Sequence, residues 1–447
     1  MSNTDSNMDT KTDAGSDAKT DASTVIKTEI ANTDTGIEIA QGATEPSPRS
    51  RSIRYAAISF AFYITLSLGS YVTVFLQSIG FNAQGVGIIT SLNSGVGVFS
   101  SPFWGMLSDK LRSLKKVITI TYVVGVVLFA LIPITSSINL GAVSFVFLLI
   151  PFTMFFKMPT MSLLENWMIR NTSREKLNYG AIRSVGSFSY AAVSFLLGYV
   201  LPKTGVRFTF YANALLSIPA LFLLHHVKGG TDEATGMKRS LTFKEMQFSR
   251  IFKSYHYVTY VVFSVFQRIP FHCAMVFLPF LVAEIGGNTA QMGIILGMRA
   301  FLEIPMMLLL KPLRQKVPLY YLIFAASGFY MIECILYSFS TSFIVIVAIS
   351  VFHGLGNGLM IPSGSSYVFM LTPEELKATS QTVLASMNAI AGILGGLLGG
   401  YFIMRLGIKQ FYFVVGLLIL AALILYMSSF VIGEKVFGIK RPGLSVH

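Results

Sequence analysis

The sequence predicts an all-α membrane protein with twelve transmembrane helices arranged as two six-helix bundles. Of its 447 residues, 53% are hydrophobic and only 12% are charged, whereas soluble proteins carry about 25% charged residues. Twelve apolar runs are long enough to cross a bilayer, which takes about 20 residues per helix. Lysine and arginine are concentrated in alternate loops, so successive runs cross the membrane in opposite directions.

One long polar loop divides the apolar runs into two sets of six. The runs are placed at 55–79, 85–108, 116–136, 140–170, 178–202, 207–227, 255–283, 289–312, 318–339, 342–371, 379–404 and 409–432. The division predicts a first bundle over 49–227, a cytoplasmic linker over 228–254 and a second bundle over 255–432. Two sets of six with a polar linker are typical of secondary transporters built from repeats.

The two ends of the chain are predicted to be cytoplasmic tails. Residues 1–48 are rich in Asp, Thr, Ser and Asn and contain no aromatic residue. Such a segment buries too little apolar area to offset its ordering entropy, so we expect it to be disordered. Residues 433–447 follow the last apolar run and carry basic residues.

The distribution of basic residues predicts the orientation in the cytoplasmic membrane. With both termini inside, the loop after the second run is cytoplasmic and contains Lys110, Arg112, Lys115 and Lys116. The loops on the other side hold few basic residues, as the positive-inside rule requires. The net charge of +13 therefore reflects membrane orientation and does not indicate nucleic-acid binding.

Two opposite charges lie inside neighbouring apolar runs. Glu165 precedes the turn at Arg174 by nine residues, and Arg183 follows it by nine. An antiparallel pair of helices would place both charges at the same depth. Charges inside a bilayer cost at least ~2.5–3.5 kcal/mol each and usually mark a site. A guanidinium and a carboxylate together suit a ligand with adjacent hydroxyls, and a structural ion pair is the alternative.

The loop after the second run contains the stretch G-M-L-S-D-K-L-R at 105–112. It resembles the loop motif of the major facilitator superfamily, which implies a gating role for Gly105, Asp109 and Lys110. A cytoplasmic anchor of mixed charge is the alternative. That family usually has glycine at the position of Arg112, so this turn departs from the pattern.

The stretch from Glu165 to Tyr190 is more specific within that superfamily. The Y-G-A-I-R-S-V-G-S segment at 179–187 resembles an element of the oligosaccharide and nucleoside proton symporters related to lactose permease. The resemblance implies that Glu165 and Arg183 hydrogen-bond substrate hydroxyls and that Tyr190 stacks on the sugar ring.

The same resemblance implies proton-coupling residues in the second half. Glu303 lies in a Glu-x-Pro element about 15 Å from the end of its helix, where a lone carboxylate can take up a proton. Arg299, four residues earlier, could instead form a static pair with it. His353 matches the histidine of the tenth span and is expected to contact substrate or proton, with a packed, hydrogen-bonded structural histidine as the alternative. The family's acid three residues later is replaced by Gly356.

The intramembrane charges also favour a particular class of substrate. The bases Lys157, Arg183, Arg268 and Arg299 outnumber the acids Glu165, Glu303 and Glu333. This excess of positive charge favours an anionic substrate such as a sugar acid. The competing explanation is that Arg268 forms a structural ion pair with Glu303.

These features together predict proton-coupled uptake of a sugar, oligosaccharide or nucleoside by alternating access. No cofactor, metal site or catalytic motif is expected, so the protein is not predicted to be an enzyme, and the proton gradient supplies the driving force. The expected partners are a small hydroxyl-rich substrate and the lipid bilayer, with the protein acting as a monomer. A multidrug or metabolite exporter and a transporter-like sensor are the alternatives.

Overall fold

A computed structural model describes residues 47–140, 143–227, 252–373 and 376–443. Residues 1–46 of the tail predicted over 1–48, most of the linker and the last four residues lie outside these ranges, and Pro48 already belongs to the first helix. The helices of the described part are α1 (Pro48–Gly69), α2 (Val72–Ser78), α3 (Ala83–Lys110), α4 (Leu114–Thr135), α5 (Val146–Arg174), α6 (Tyr179–Thr204), α7 (Phe208–His226), α8 (Tyr255–Val276), α9 (Leu278–Glu284), α10 (Thr289–Lys316), α11 (Leu319–Ser338), α12 (Phe343–Leu371), α13 (Lys377–Leu406) and α14 (Ile408–Lys435). We call α1–α7 the first half and α8–α14 the second half.

The helices confirm the predicted all-α membrane fold. Ten of the described helical segments are long and apolar enough to span a bilayer, or eleven if the bent α8–α9 pair counts as one span. The remaining long helix is α3, whose 28 residues include several serines and glycines. These residues lower its hydropathy, and α3 packs against α5 and α13.

The start of the fourth apolar run was predicted too early. The run was placed at 140–170, but α5 begins at Val146. A short antiparallel pairing of Asn139–Leu140 with Val143–Ser144 occupies the preceding residues. Apolar residues in so short a hairpin cannot be told from a helix start by hydropathy alone.

Two of the membrane crossings are broken. The first is interrupted between α1 and α2 at Ser70 and Tyr71. The seventh bends by 47° between α8 and α9, where Pro279 occupies the first turn of α9. Proline fits the first turn of a helix but interrupts a continuous one, so it explains the second break.

Corresponding turns in the two halves use the same residue types. Gly80 and Gly286 both have positive φ angles, of 95° and 74°, and each is followed by an asparagine that caps the next helix. Asn82 accepts a hydrogen bond from the Gly85 amide, and Asn288 accepts one from the Gln291 amide. The local structure is therefore repeated between the halves, as in transporters built from repeats.

The halves meet closely through glycines on one side of the bundle. We call the side with the start of α1 and the end of α14 the terminal side, and the opposite side the distal side. In the distal part of α3 and α13, a Cβ added to Gly87 would overlap the carbonyl oxygen of Gly396. In α6 and α10, a Cβ on Gly293 would lie 2.6 Å from the carbonyl oxygen of Ser194. Small residues therefore permit backbone contact between the halves.

Candidate functional site

The structure brings Glu165 of α5 and Arg183 of α6 together. Arg183 Nε donates a hydrogen bond to Glu165 Oε1 over 3.1 Å. The turn between α5 and α6 is short, so residues equally far from it lie at the same level. The side chains are 26% exposed for Arg183 and 38% for Glu165, so the pair remains accessible to a solute.

Tyr63 of α1 contacts both members of this pair. Its hydroxyl donates to Glu165 Oε1 over 2.7 Å, and the Arg183 guanidinium carbon lies 4.4 Å from the centre of its ring. Arg183 Nη1 donates to Ser187 Oγ over 2.9 Å. Within the described part of the chain, Glu165 Oε2 and Arg183 Nη2 make no hydrogen bond, so each can bind a ligand hydroxyl.

Tyr190 lies two helical turns along α6 from Arg183. Its hydroxyl is 2.8 Å from Ser70 Oγ, at the break between α1 and α2. The partly exposed ring lies near the second half, since Arg299 and Glu303 are within electrostatic range of it. Its predicted stacking role stays a prediction.

Glu303 faces the first half and has a neutral partner. Asn357 Nδ2 donates to Glu303 Oε2 over 3.0 Å, and Asn357 in turn accepts a hydrogen bond from Tyr330 over 3.1 Å. Arg183 lies within electrostatic range of Glu303. The carboxylates and guanidinium of the two halves therefore face a common region.

Arg299 pairs with Glu333 and not with Glu303, so the alternative of a static pair within α10 was wrong. Arg299 Nη2 lies 2.6 Å from Glu333 Oε1, and His353 Nδ1 lies 3.1 Å from Glu333 Oε2. Tyr337 accepts a further hydrogen bond from Arg299 over 3.0 Å. All these groups are buried, and we call Arg299, Glu333, Tyr337 and His353 the buried network.

The position of His353 bears on its predicted role. Its side chain is 7% exposed, and its ring is stacked on Phe271 with centroids 5.9 Å apart. The imidazole therefore contacts Glu333 and lies behind aromatic side chains. Its assignment to substrate or proton binding stays a prediction.

The expected Arg268–Glu303 ion pair does not form. Arg268 makes no salt bridge with any described residue and lies 6.0 Å from the ring of Phe271. Glu303 likewise has no salt bridge among the residues that the structure describes. An Arg268–Glu303 ion pair therefore does not explain the excess of intramembrane bases in this structure.

The predicted gating motif ends α3 on the terminal side. Asp109 and Lys110 occupy the last turn, and no hydrogen bond or ion pair joins the Asp109 side chain to a described residue. A Cβ on Gly105 would meet nothing within 4 Å. Arg112 has a φ angle of 49°, so it adopts the left-handed conformation that glycine favours.

Two cavities adjoin the charged residues. One, of about 300 Å³, is lined mainly by α1, α4 and α5 and includes Ser70 and Lys157. The other, of about 440 Å³, lies between the halves and includes Ser94, His272 and Asn388. Met158 lines both cavities, so they are adjacent.

Tyr63 and Asn357 are the site neighbours that the sequence did not reveal. Tyr63 lies in an apolar run without a motif, and its contact with Glu165 depends on how α1 packs against α6. Asn357 follows His353 by four residues, so an i+4 search from the predicted histidine could have found it.

Known proteins match most of the chain. The sequence pattern of the MFS_1 like family matches residues 52–415. The uncharacterized transporter YwbF of Bacillus subtilis (strain 168) is 27% identical over 387 residues, covering 84% of this chain and 94% of that protein. Maltose permease of Geobacillus stearothermophilus is 23% identical over 377 residues, covering 83% of this chain and 92% of that protein.

The fold is also similar to that of solved transporter structures. The structure of the nucleoside transporter NupG superposes with a TM-score of 0.71 at 16% identity, covering 85% of this chain and 99% of that chain. These neighbours are transporters, as the sequence predicted in place of an enzyme. The chain belongs to the MFS_1 like family and is a multi-pass membrane transporter of the major facilitator kind.

Proposed function

We propose that the protein takes up a polar, hydroxyl-rich solute by alternating access, coupled to the proton gradient. The observation that carries this proposal is the accessible Glu165–Arg183 pair, which has an unused oxygen and an unused nitrogen. A sugar, an oligosaccharide or a nucleoside presents adjacent hydroxyls that such a pair can bind. Similarity to proteins named maltose permease and nucleoside transporter supports this class of substrate.

The geometry explains how the pair would recognise hydroxyl groups. Glu165 Oε2 accepts hydrogen bonds, and Arg183 Nη2 donates them in a fixed plane. Tyr63 holds both side chains in position from α1. Hydrogen bonds to charged groups contribute about 1.5–3 kcal/mol each. Two of them would give both affinity and orientation to a sugar ring placed next to Tyr190.

Glu303 is our candidate for the proton-binding residue. It is partly accessible, carries no counter-charge among the described residues and is held by the neutral amide of Asn357. A protonated carboxyl can still accept this hydrogen bond, so the contact permits both protonation states. The nearby Arg183 connects the charge of Glu303 to the substrate site electrostatically.

The packing of the halves fits one end of an alternating-access cycle. Glycine contacts join the halves on the distal side, whereas on the terminal side no described residue forms a hydrogen bond or ion pair with the Asp109 side chain. With the termini in the cytoplasm, as the basic loops predict, this arrangement is closed to the outside. Uptake would then require the glycine contacts to separate while the terminal side closes.

The test of substrate binding uses purified full-length protein and Arg183→Lys. Neutral sugars and nucleosides are first screened by thermal shift, and uptake of any hit is measured in proteoliposomes. The substitution keeps the charge but removes the planar fork, so we expect uptake to fall about 100-fold, which corresponds to ~2.7 kcal/mol. Arg207→Lys, on the exposed distal surface, is the matched control and should change uptake less than about twofold.

Equal activity of Arg183→Lys and the control would contradict the proposed binding site. Extrusion of hydrophobic drugs, with no binding of any sugar or nucleoside, would support the exporter alternative.

Proton coupling is tested with Glu303→Gln. We expect this variant to exchange bound substrate across the membrane but to lose substrate-driven alkalinisation of the medium. Glu284→Gln, at an exposed helix end, should keep both activities. Alkalinisation that persists in Glu303→Gln would assign the proton to another group, such as His353 or Glu333.

A further inference from the structure

Lys157 places a positive charge inside the first half without a carboxylate partner. Its Nζ lies 3.3 Å from Asn213 Oδ1 and 3.6 Å from the centre of the Phe129 ring. It forms no salt bridge with any residue in the described ranges. An ammonium group has three donors, and the named hydrogen bond uses one of them.

The ammonium lies beside an open cavity. Lys157 and Ser70 both line the cavity of about 300 Å³ between α1, α4 and α5. The threonines of this cavity are satisfied internally, because Thr65 donates to the Phe62 carbonyl and Thr160 donates to the Phe156 carbonyl. Lys157 is therefore the charged lining residue with donors left for a ligand.

Lys157 lies deeper along α5 than Glu165, at the depth where Tyr190 lies on α6. We call the depth of Glu165 and Arg183 the first level and that of Lys157 and Tyr190 the second level. It precedes Glu165 by eight residues on α5, and Tyr190 follows Arg183 by seven on α6. At 1.5 Å per residue, both steps correspond to about 10–12 Å along antiparallel helices. Ser70 hydrogen-bonds Tyr190 over 2.8 Å and lines the same cavity as Lys157, so Ser70 connects Tyr190 of α6 to the edge of the Lys157 cavity.

The charges of this region favour an anionic ligand. Glu165 is paired with Arg183, and Glu333 is paired with Arg299. Glu303 is held by the neutral amide of Asn357, and no described carboxylate pairs with Lys157, whose named contacts are the Asn213 amide and the Phe129 ring. An unpaired charge at membrane depth is costly, and a ligand carboxylate would offset that cost when it binds.

We propose that the transported solute carries an acidic group and that Lys157 binds this group. The inference rests on the proposed function, because Glu165 and Arg183 bind the hydroxyls of the same molecule. The spacing of the two levels fits a sugar acid of about two rings, with the carboxylate at the end near Tyr190. Aldonic acids derived from disaccharides have this chemistry.

The experiment compares acidic and neutral sugars of matched size on purified full-length protein. The probes are maltobionate against maltose, and lactobionate against lactose, with affinities measured by titration calorimetry at constant ionic strength. We expect the wild-type protein to bind at least one acid about tenfold or more tightly than its neutral parent. Lys157→Met should lose this preference through weaker binding of the acid, with neutral-sugar affinity within about twofold of wild type.

Two further variants serve as controls. Lys157→Arg keeps the positive charge and should keep the preference for the acid. Lys203→Met makes the same chemical change on the exposed distal surface and should leave both affinities unchanged. If Lys157→Met does not fold, the wild-type protein and Lys157→Arg decide: a preference in both supports the proposal, and its absence from either overturns it.

The outcomes separate this inference from the proposed function. Neutral-sugar binding that requires Arg183, with no gain from the carboxylate in the wild-type protein, overturns the role of Lys157 alone. Equal losses of acid and neutral affinity in folded Lys157→Met also overturn it, because Lys157 is then structural. Failure of all four probes to bind overturns the inference of a disaccharide acid, whereas the proposed function is decided separately by the screen of neutral sugars and nucleosides.

Discussion

The two halves hold their intramembrane charges in opposite ways. In the first half, the Glu165–Arg183 pair is 38% and 26% exposed. In the second half, the Arg299–Glu333 pair is 5% and 4% exposed and is extended by His353. The first pair has polar atoms left over for a ligand. The buried network instead connects α10, α11 and α12 through groups that already bind one another.

Burial, more than residue type, therefore separates a candidate binding site from a structural network. Both clusters are built around an arginine, a glutamate and a tyrosine. An accessible ion pair contributes roughly 0–1 kcal/mol to stability, because water competes for both partners. A buried pair that loses one partner leaves a charge without compensation and costs about 3–5 kcal/mol. The same substitution should therefore have different effects in the two halves.

The largest expected effect is that of Glu333→Gln. This change removes the charge that Arg299 and His353 share, so we expect a loss of about 3–5 kcal/mol in the free energy of unfolding. Glu165→Gln is the matched change in the first half and should cost less than ~1 kcal/mol. Unfolding of both purified variants in the same detergent, followed by circular dichroism, measures the difference. Similar losses for the two variants would contradict the contrast between an accessible pair and a buried network.

The sequence allowed the Glu165–Arg183 contact to be anticipated because the geometry is local. The two residues are 18 positions apart across one short turn, so antiparallel helices bring them to one level. The helix bounds were also predictable from hydropathy, within a few residues for most runs. Two starts were not: α1 begins at Pro48, before the run predicted from residue 55, and the residues before Val146 form a short hairpin instead of the start of α5.

The partner of Arg299 could not be read from the sequence. Spacing within α10 allowed an i, i+4 pair with Glu303, and spacing alone does not reveal a competing acid on another helix. Glu333 binds Arg299 because α10 and α11 both pack against α12, with Tyr337 and Ser350 completing the contacts. Lys157 and Arg268 were expected to be charged and membrane-embedded, but their lack of acidic partners depends on the tertiary structure.

A smaller effect is expected where the two halves touch. A methyl group at Gly87 would overlap the Gly396 carbonyl oxygen, so Gly87→Ala should destabilise the closed distal side by about 1–3 kcal/mol. Gly95→Ala, on the same helix, would meet nothing within 4 Å and should be neutral or slightly stabilising. Melting temperatures and uptake rates of the two variants test this expectation. Equal behaviour would show that the glycine contacts do not hold the halves together.

The smallest difference is expected between two tyrosine hydroxyls that each bind a charged group. Tyr337→Phe deprives buried Arg299 of an acceptor that water cannot replace, so we expect a loss of about 1–3 kcal/mol in stability. Tyr63→Phe removes the 2.7 Å hydrogen bond to Glu165, but water can reach that carboxylate and the ring still faces Arg183, so the loss should be below ~1 kcal/mol. Its effect should appear in substrate affinity instead, because Glu165 is then less firmly oriented. Parallel measurement of unfolding and binding distinguishes the two outcomes. A larger stability loss for Tyr63→Phe than for Tyr337→Phe would mean that the first-half pair, and not the buried network, is the structural one.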